Sequence, residues 1–508
     1  MREEPSDPTD DRVADALERV AHGAVVSVPS ILVERLLTLA FTALLTNGFS
    51  AAAYGLFVLA RRCQFVLVSL TNGFGTGLSR YLPNADTATE RDIVATIGSL
   101  LGLSAAVVFG SGLYLATPVI TDFAGTAPRF GIFLRVFAVA LPATVALQTA
   151  VALLRGLEEV GPLNLTQRLG FPAAQLVVAG IAVATDTLLV AAIGAPVVAA
   201  LAGLTAIGWL GRKRGLRPRL RGTNASRLHR QYARYTAPVF AGSIATTVQR
   251  LGFYPLIAVF LSGTAGGVFA VGALVGMLVR LPLMGINQFM PPVAAALHGS
   301  GHRDALSAVY GATSRLVLVG VTALAVPVVV FRHEVMTLFG PTFVTYADLL
   351  PAFVLAQWVA CAAGSVGILL MMTDHQRALL VVNTAITAGL AILAIPLVRQ
   401  FGLVGVVIAY LLMLTINNTL EVLVLYRLEG LQPLTRAHIR PLVAAVPLAT
   451  VALVARTVAP GPVGALVGTL VGVAAYAGVL LWLGFAPVER RLVATLVDRY
   501  RGVTSLRA

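Results

Sequence analysis

Val33-Glu34-Arg35-Leu36 sets two opposite charges in the middle of an apolar run that extends from Gly23 to Thr46. At ~1.5 Å per residue such a run is long enough to cross a hydrocarbon core. Charges at that depth cost ~2.5–3.5 kcal/mol each on insertion scales, so they face protein or a water-filled cavity rather than lipid. The pattern returns 215 positions later as Val248-Gln249-Arg250-Leu251, again in the middle of an apolar run. A buried arginine that occurs twice at matched depth points to a duplicated membrane transporter.

Composition agrees. Of 508 residues, 57% are hydrophobic and 12% charged, about half the charged share of a soluble chain, where roughly 25% is usual. Mean hydropathy is +0.85. The formal charge of +14 is carried by 36 arginines and Lys213. In a soluble chain that balance would suggest nucleic acid; in a membrane protein the positive-inside rule accounts for it, and no nucleic-acid partner is expected.

Apolar spans are expected near 23–46, 53–77, 93–117, 131–154, 163–184 and 187–210. A second series lies near 236–261, 265–290, 307–330, 347–371, 378–398 and 403–426, followed by 441–458 and 462–484. The fold class is therefore an all-α polytopic membrane protein of about 14 transmembrane helices. Its expected domains are a tail (1–22), an N-lobe of helices 1–6 (23–210), a basic linker (211–235), a C-lobe of helices 7–12 (236–426), helices 13–14 (427–484) and a basic tail (485–508). Residues 12–22 read as a short amphipathic helix. Residues 1–22 are acidic and polar, unlike a cleavable signal peptide, so insertion falls to the first span.

Twenty-five of the 37 basic residues fall in segments that are internal if the N-terminus is inside, and four (Arg129, Arg332, Arg399 and, at the end of its span, Arg456) on the external side. Both termini are thus expected on the cytoplasmic side of the cell membrane. A second match supports the repeat: Leu153-Leu154 and Leu369-Leu370, 216 positions apart, each precede a short polar loop. Six helices per unit is even, which predicts a pseudo-two-fold axis along the membrane normal and a shared site between lobes.

Polar positions inside the spans mark the candidate site. Ser30, Glu34, Thr38 and Thr42 recur every four residues and share a helix face, with Arg35 beside them. The second span adds Arg61, Arg62 and Asn72, the seventh Ser243, Thr247, Arg250 and Tyr254, and the eighth Arg280 and Asn287. Hydroxyls in spans commonly bond their own backbone or pack helices, whereas intramembrane arginines are not required by packing. Whether Arg61 or Arg62 faces the cavity is open. Glu34 serves either as a counter-ion to Arg35 or as a proton or cation site.

A cationic site with almost no carboxylates suits an anionic substrate. Guanidinium groups bind phosphate oxygens bidentately and stay charged when desolvated. A lipid-linked pyrophosphate fits this pattern, with its headgroup at the arginines and its tail in lipid. Enzyme chemistry has little support. Walker, HExxH and GxSxG elements are absent, and His298 and His302 bracket a Gly-Ser-Gly loop rather than a ligand face. The longest expected external loop, 331–346, carries only Arg332 and Glu334 as formal charges. Neither a cofactor nor a metal is expected.

Ala53-Tyr54-Gly55-Leu56-Phe57, then Gly73, Gly77 and Arg80, and later Leu338-Phe339-Gly340-Pro341-Thr342-Phe343 with Ala347 and Leu350, carry a resemblance. From about 20 to 484 the chain resembles the multidrug/oligosaccharidyl-lipid/polysaccharide (MOP) exporter superfamily, in particular its polysaccharide transporter branch of Wzx-type flippases. The resemblance implies alternating-access flipping of an isoprenoid-(pyro)phosphate-linked oligosaccharide to the outer leaflet for surface polysaccharide or glycoprotein glycan assembly. It further implies Na+ or H+ coupling, and glycan polymerases or glycosyltransferases as pathway partners. By helix and depth it assigns the substrate to Arg35, Arg61 or Arg62, and Arg280; Arg250 follows from the repeat. The alternative is a cation-coupled multidrug exporter of the same superfamily using Glu34, although Gln249 stands where that branch often has an acid.

Overall fold

The computed structural model describes residues 29–124, 128–222 and 225–484. The expected amphipathic segment at 12–22, the start of the first span and the basic tail lie outside the described residues. Everything described is helix or connection, with no strand.

Helix α1 covers Pro29–Gly48. Ser50 then caps α2 (Ala51–Tyr81), its hydroxyl accepting the Ala53 N–H; this satisfies one of the amides a helix start leaves without a partner. Helix α3 covers Ala88–Ala124, and α4 (Pro128–Val139) and α5 (Leu141–Gly156) follow. The last two form one span bent by 44°, and Pro142, in the first turn of α5, explains the bend because proline cannot continue the ladder of α4. Helices α6 (Gly161–Ala184) and α7 (Leu188–Arg214) are separated by Asp186 in a left-handed conformation, a tight turn at the expected boundary.

After the linker come α8 (Ala225–Leu251), α9 (Tyr254–Phe260), α10 (Gly263–Val279), α11 (Leu281–Ile286) and α12 (Met290–Gly299). The seventh and eighth expected spans are therefore interrupted. Gly252 at φ +56 separates α8 from α9, and Arg280, followed by Pro282, separates α10 from α11. The chain continues through α13 (Arg303–Val330), α14 (Ala347–Met372), α15 (Gln376–Glu429), α16 (Arg436–Val458) and α17 (Pro462–Leu483). Straight, the 54 residues of α15 would reach ~80 Å, far beyond one bilayer crossing. They break at Gly402, whose φ of 56 and ψ of −130 are not helical, where separate eleventh and twelfth spans are expected. By length and apolarity alone, ten described helices can cross a membrane, or eleven with the bent pair.

Contacts divide the described chain into two units: Val33–Ala270, and the residues from Val271 onward with the first turn of α1. In the first unit α2 is the central element. Its Gly55 lies so close to α10 that a Cβ there would sit 1.6 Å from the Gly263 carbonyl oxygen, and only glycine permits that approach. Nearer its other end, the Tyr232 hydroxyl of α8 donates to the Phe74 carbonyl. In the second unit, α16 and α17 are fastened to α13. Ala444, Leu448, Tyr476 and Leu480 form one buried cluster, and the Tyr476 hydroxyl donates to the Val319 carbonyl at 3.1 Å.

Each unit carries a tie at one end of its helices. In the first, Glu159 accepts from Arg214 Nε at 2.6 Å and Lys213 Nζ at 3.3 Å. In the second, Glu429 meets His375 Nε2 at 2.8 Å and Arg303 at 3.4 Å. His375 stands 216 positions after Glu159, and Glu429 216 after Lys213. Equivalent positions are thus tied with the acidic partner exchanged, which supports the internal repeat from side-chain contacts.

Candidate functional site: an arginine–aromatic cluster

Arg61 and Arg62 are consecutive on α2, about 100° apart around the helix, so they meet different neighbours. The Arg61 guanidinium carbon lies 5.3 Å from the centroid of Phe41 on α1 and 6.0 Å from that of Phe57. The Arg62 carbon lies 4.7 Å from the centroid of Tyr254 and 5.9 Å from that of Phe65. A cation over an aromatic face is attracted by the ring quadrupole, by about 0.5–2 kcal/mol depending on desolvation. Stacking occupies the face of a guanidinium and leaves its edge N–H groups for an anion.

Tyr254 is buried, and its hydroxyl has no hydrogen-bond partner among the described residues. Its ring stands edge-on to Phe269, with centroids 5.3 Å apart. Arg62 and Tyr254 together therefore offer donors next to one another, with the tyrosine ring fixed from behind. The two arginines divide the space: Arg61 points among the rings of α1 and α2, and Arg62 toward α9. Arg35 is half-buried on α1, as is Glu34.

The hydroxyl stripe on α1 is mostly spent locally. Thr38 Oγ1 donates to the Glu34 carbonyl at 2.8 Å and Thr46 Oγ1 to the Thr42 carbonyl at 3.0 Å, the bonding expected of hydroxyls that pack helices. Thr42 is buried, as is Tyr54. Ser30, one turn before Glu34, is half-buried, and Asn72 on α2 is exposed. Ser243, Thr247 and Arg250 belong to α8, but their side chains lie outside the described residues.

In the second unit, Arg280 sits at the break between α10 and α11 and is half-buried. Glu421 of α15 and Cys361 of α14, in the same unit, are buried. Glu421 accepts from Asn417 Nδ2 at 2.7 Å. Asn287, one residue past α11, accepts from the Ser365 hydroxyl at 2.6 Å. Ser365 directly follows Gly364, whose φ of +62 interrupts α14. Polar side chains at interrupted helices are the usual setting of transporter binding sites, because interruption frees backbone groups inside the span.

Glu421 is the site residue that sequence reasoning passes over. Glu34 looks like the one acid near mid-membrane, yet Glu34 is half-exposed and Glu421 is only 6% exposed. The signal lay in Asn417-Asn418-Thr419-Leu420-Glu421, a polar patch inside the expected span 403–426. Its nearness to the span end suggested solvent rather than burial.

The chain and its fold have counterparts among known proteins. A model of the family described as "Polysaccharide biosynthesis protein" matches residues 20–298, more than half of the chain. No curated protein sequence matches. Among solved structures, the lipid II flippase MurJ in an inward closed conformation aligns with a TM-score of 0.71 and 11% identity, covering 89% of this chain and 96% of that one. An inward-facing multidrug resistance MATE transporter of the MOP superfamily aligns with a TM-score of 0.68 and 17% identity, covering 80% and 98%. A MOP superfamily transporter from Pyrococcus furiosus aligns at 0.56 and 16%, covering 84% and 99%. The helical architecture is that of MOP transporters, and the chain belongs to the polysaccharide biosynthesis protein family.

Proposed function

We propose that the chain moves an anionic isoprenoid-(pyro)phosphate-linked oligosaccharide from the cytoplasmic to the outer leaflet by alternating access. The observation that carries this reading is the Arg62–Tyr254 pair. A guanidinium 4.7 Å over a buried ring, with a buried hydroxyl that has no partner among the described residues, is a donor set suited to phosphate oxygens. Arg35, Arg61 and Arg250 of the same unit serve the anion with Arg62, and Arg280 is a further substrate-binding residue. Thr42, Tyr254 and Asn287 contribute polar lining, and sugars occupy the hydrophilic space. Both termini lie in the cytoplasm on this reading, and the product passes to glycosyltransferases or a glycan polymerase. The family's description as polysaccharide biosynthesis and the likeness to a lipid II flippase support it.

The binding test is titration of the purified protein with a prenyl pyrophosphate. Saturable binding that Arg62→Ala weakens is expected; equal binding by wild type and Arg62→Ala would remove the basis of the proposal.

One observation favours a second reading. A buried carboxylate, Glu421, with Glu34 on α1, offers acids for a coupling cation, as a multidrug exporter would need. Cation-driven drug efflux that disappears in Glu421→Gln or Glu34→Gln, with prenyl pyrophosphate binding absent, would favour that reading.

A further inference from the structure

The positive-inside rule accounts for the charge of the segment after α7 but not for its geometry. Gly215, at φ +65, ends α7, and Leu216 packs against the buried cluster that includes Leu78, Leu82 and Ile93. The chain then lies along the start of α3. The Arg217 N–H donates to Asp92 Oδ1 at 3.1 Å and the Arg219 N–H to Thr96 Oγ1 at 2.8 Å. Two extended residues advance about 6.6 Å, close to the ~6 Å that four helical residues rise, so alternate amides meet side chains one turn apart. The residue between them is Pro218, which has no N–H to satisfy. Farther along, Gly222 leaves room for Thr89 and Ile93, which a Cβ would meet at 2.9 and 3.2 Å.

This strap is held by its backbone, and its cations stay outside. Arg212, Arg217, Arg219 and Arg221 are all exposed. Asp92 is buried and spends its oxygen on a backbone amide, so it is not in an ion pair with these arginines. Of their side chains, that of Arg219 reaches Thr89 at 2.9 Å. The neighbouring Lys213 and Arg214 are already matched by Glu159. Between Arg219 and Arg221, Leu220 is 48% exposed. Where α7 leaves its span, Trp209 lies under Lys213 at 4.6 Å, an aromatic of the kind that marks a membrane boundary.

We propose that this strap is a docking surface for anionic phospholipid headgroups of the leaflet beside it. Four guanidinium groups meet lipid phosphates, and Leu220 enters the boundary of the acyl region. A signal of sidedness needs only the number of charges during insertion, whereas a docking surface needs them held in register afterwards. Phosphate of a membrane, rather than a soluble anion, is favoured by the exposed leucine set among the arginines and by the nearby Trp209. The inference is independent of which glycan the protein carries.

The experiment compares full-length protein in phosphatidylcholine nanodiscs with and without phosphatidylglycerol, reading retained lipid by native mass spectrometry and the thermal midpoint. Arg217→Gln with Arg221→Gln is expected to lower phosphatidylglycerol retention by roughly fivefold per charge removed. Thr96→Val and Asp92→Ala each loosen the strap while keeping every arginine, and are expected to lower retention and abolish the midpoint rise given by phosphatidylglycerol. Thr96→Val leaves the Asp92 bond in place, so it reports even if Asp92→Ala does not fold. Wild-type retention in Thr96→Val, or equal stabilisation by the two lipids, would overturn the proposal.

Discussion

Arg62 is the residue on which the transport reading turns. A charge inside a span persists only with a partner or a task, and its guanidinium has an aromatic face beneath it and a hydroxyl beside it. Arg62→Ala is expected to weaken prenyl pyrophosphate binding by about 10–100-fold, the value of one or two charge-assisted hydrogen bonds. Arg62→Lys should recover only part of this, since an ammonium lacks the planar fork. Tyr254→Phe keeps the ring and removes the hydroxyl, so a loss of roughly two- to tenfold is expected, about one neutral hydrogen bond. Titration calorimetry on the three variants separates the contributions. The arginines themselves were legible in the sequence, because a charge within an apolar run is conspicuous. Their partners were not, since Arg62 and Tyr254 lie 192 positions apart and only folding brings them together. Glu421 shows the converse: visible in the sequence, but with a burial that depends on its neighbours on other elements.

At the scale of elements, hydropathy recovered where helices run but not where they break. Interruptions at Ala140, Gly252 and Arg280 have apolar residues on both sides, and that at Gly364 only one small polar neighbour, so a sliding average passes over them. Pro142 and Pro282 were the local signals, and they read as kinks or starts with equal ease. Close packing is similarly hidden, because a glycine in a span gives no sign of what approaches it. Gly55→Ala is expected to destabilise by about 1–3 kcal/mol through overpacking against Gly263, read as a lowered thermal midpoint. Gly478→Ala is the control: nothing lies within 4 Å of the added Cβ, and the midpoint should stay or rise slightly, as helix propensity favours alanine. Gly402→Ala should cost about 1–2 kcal/mol, because a side chain resists the positive φ that breaks α15.

Across the whole molecule, the duplication read from two short matches reappears as two equivalent ties with acid and base exchanged. The sequence alone could not show this, because the tied positions share no residue type. The Arg214 hydrogen bond, with Lys213 adding to it, holds the Glu159 carboxyl below the ordinary carboxylate range. A depressed carboxylate contributes stability that is present above its unfolded value and lost as pH falls through the folded value. Thermal midpoints of wild type and Glu159→Gln should therefore differ near neutral pH and converge in acid. The central claim is that intramembrane arginines carry an anionic lipid-linked glycan. It is tested most directly by reconstituting the protein into proteoliposomes and measuring the appearance of an isoprenoid-pyrophosphate-linked oligosaccharide in the opposite leaflet. The expected result is translocation by wild type that is lost in Arg62→Ala and Arg280→Ala with both variants folded and inserted. Translocation at the wild-type rate by both variants would contradict the claim.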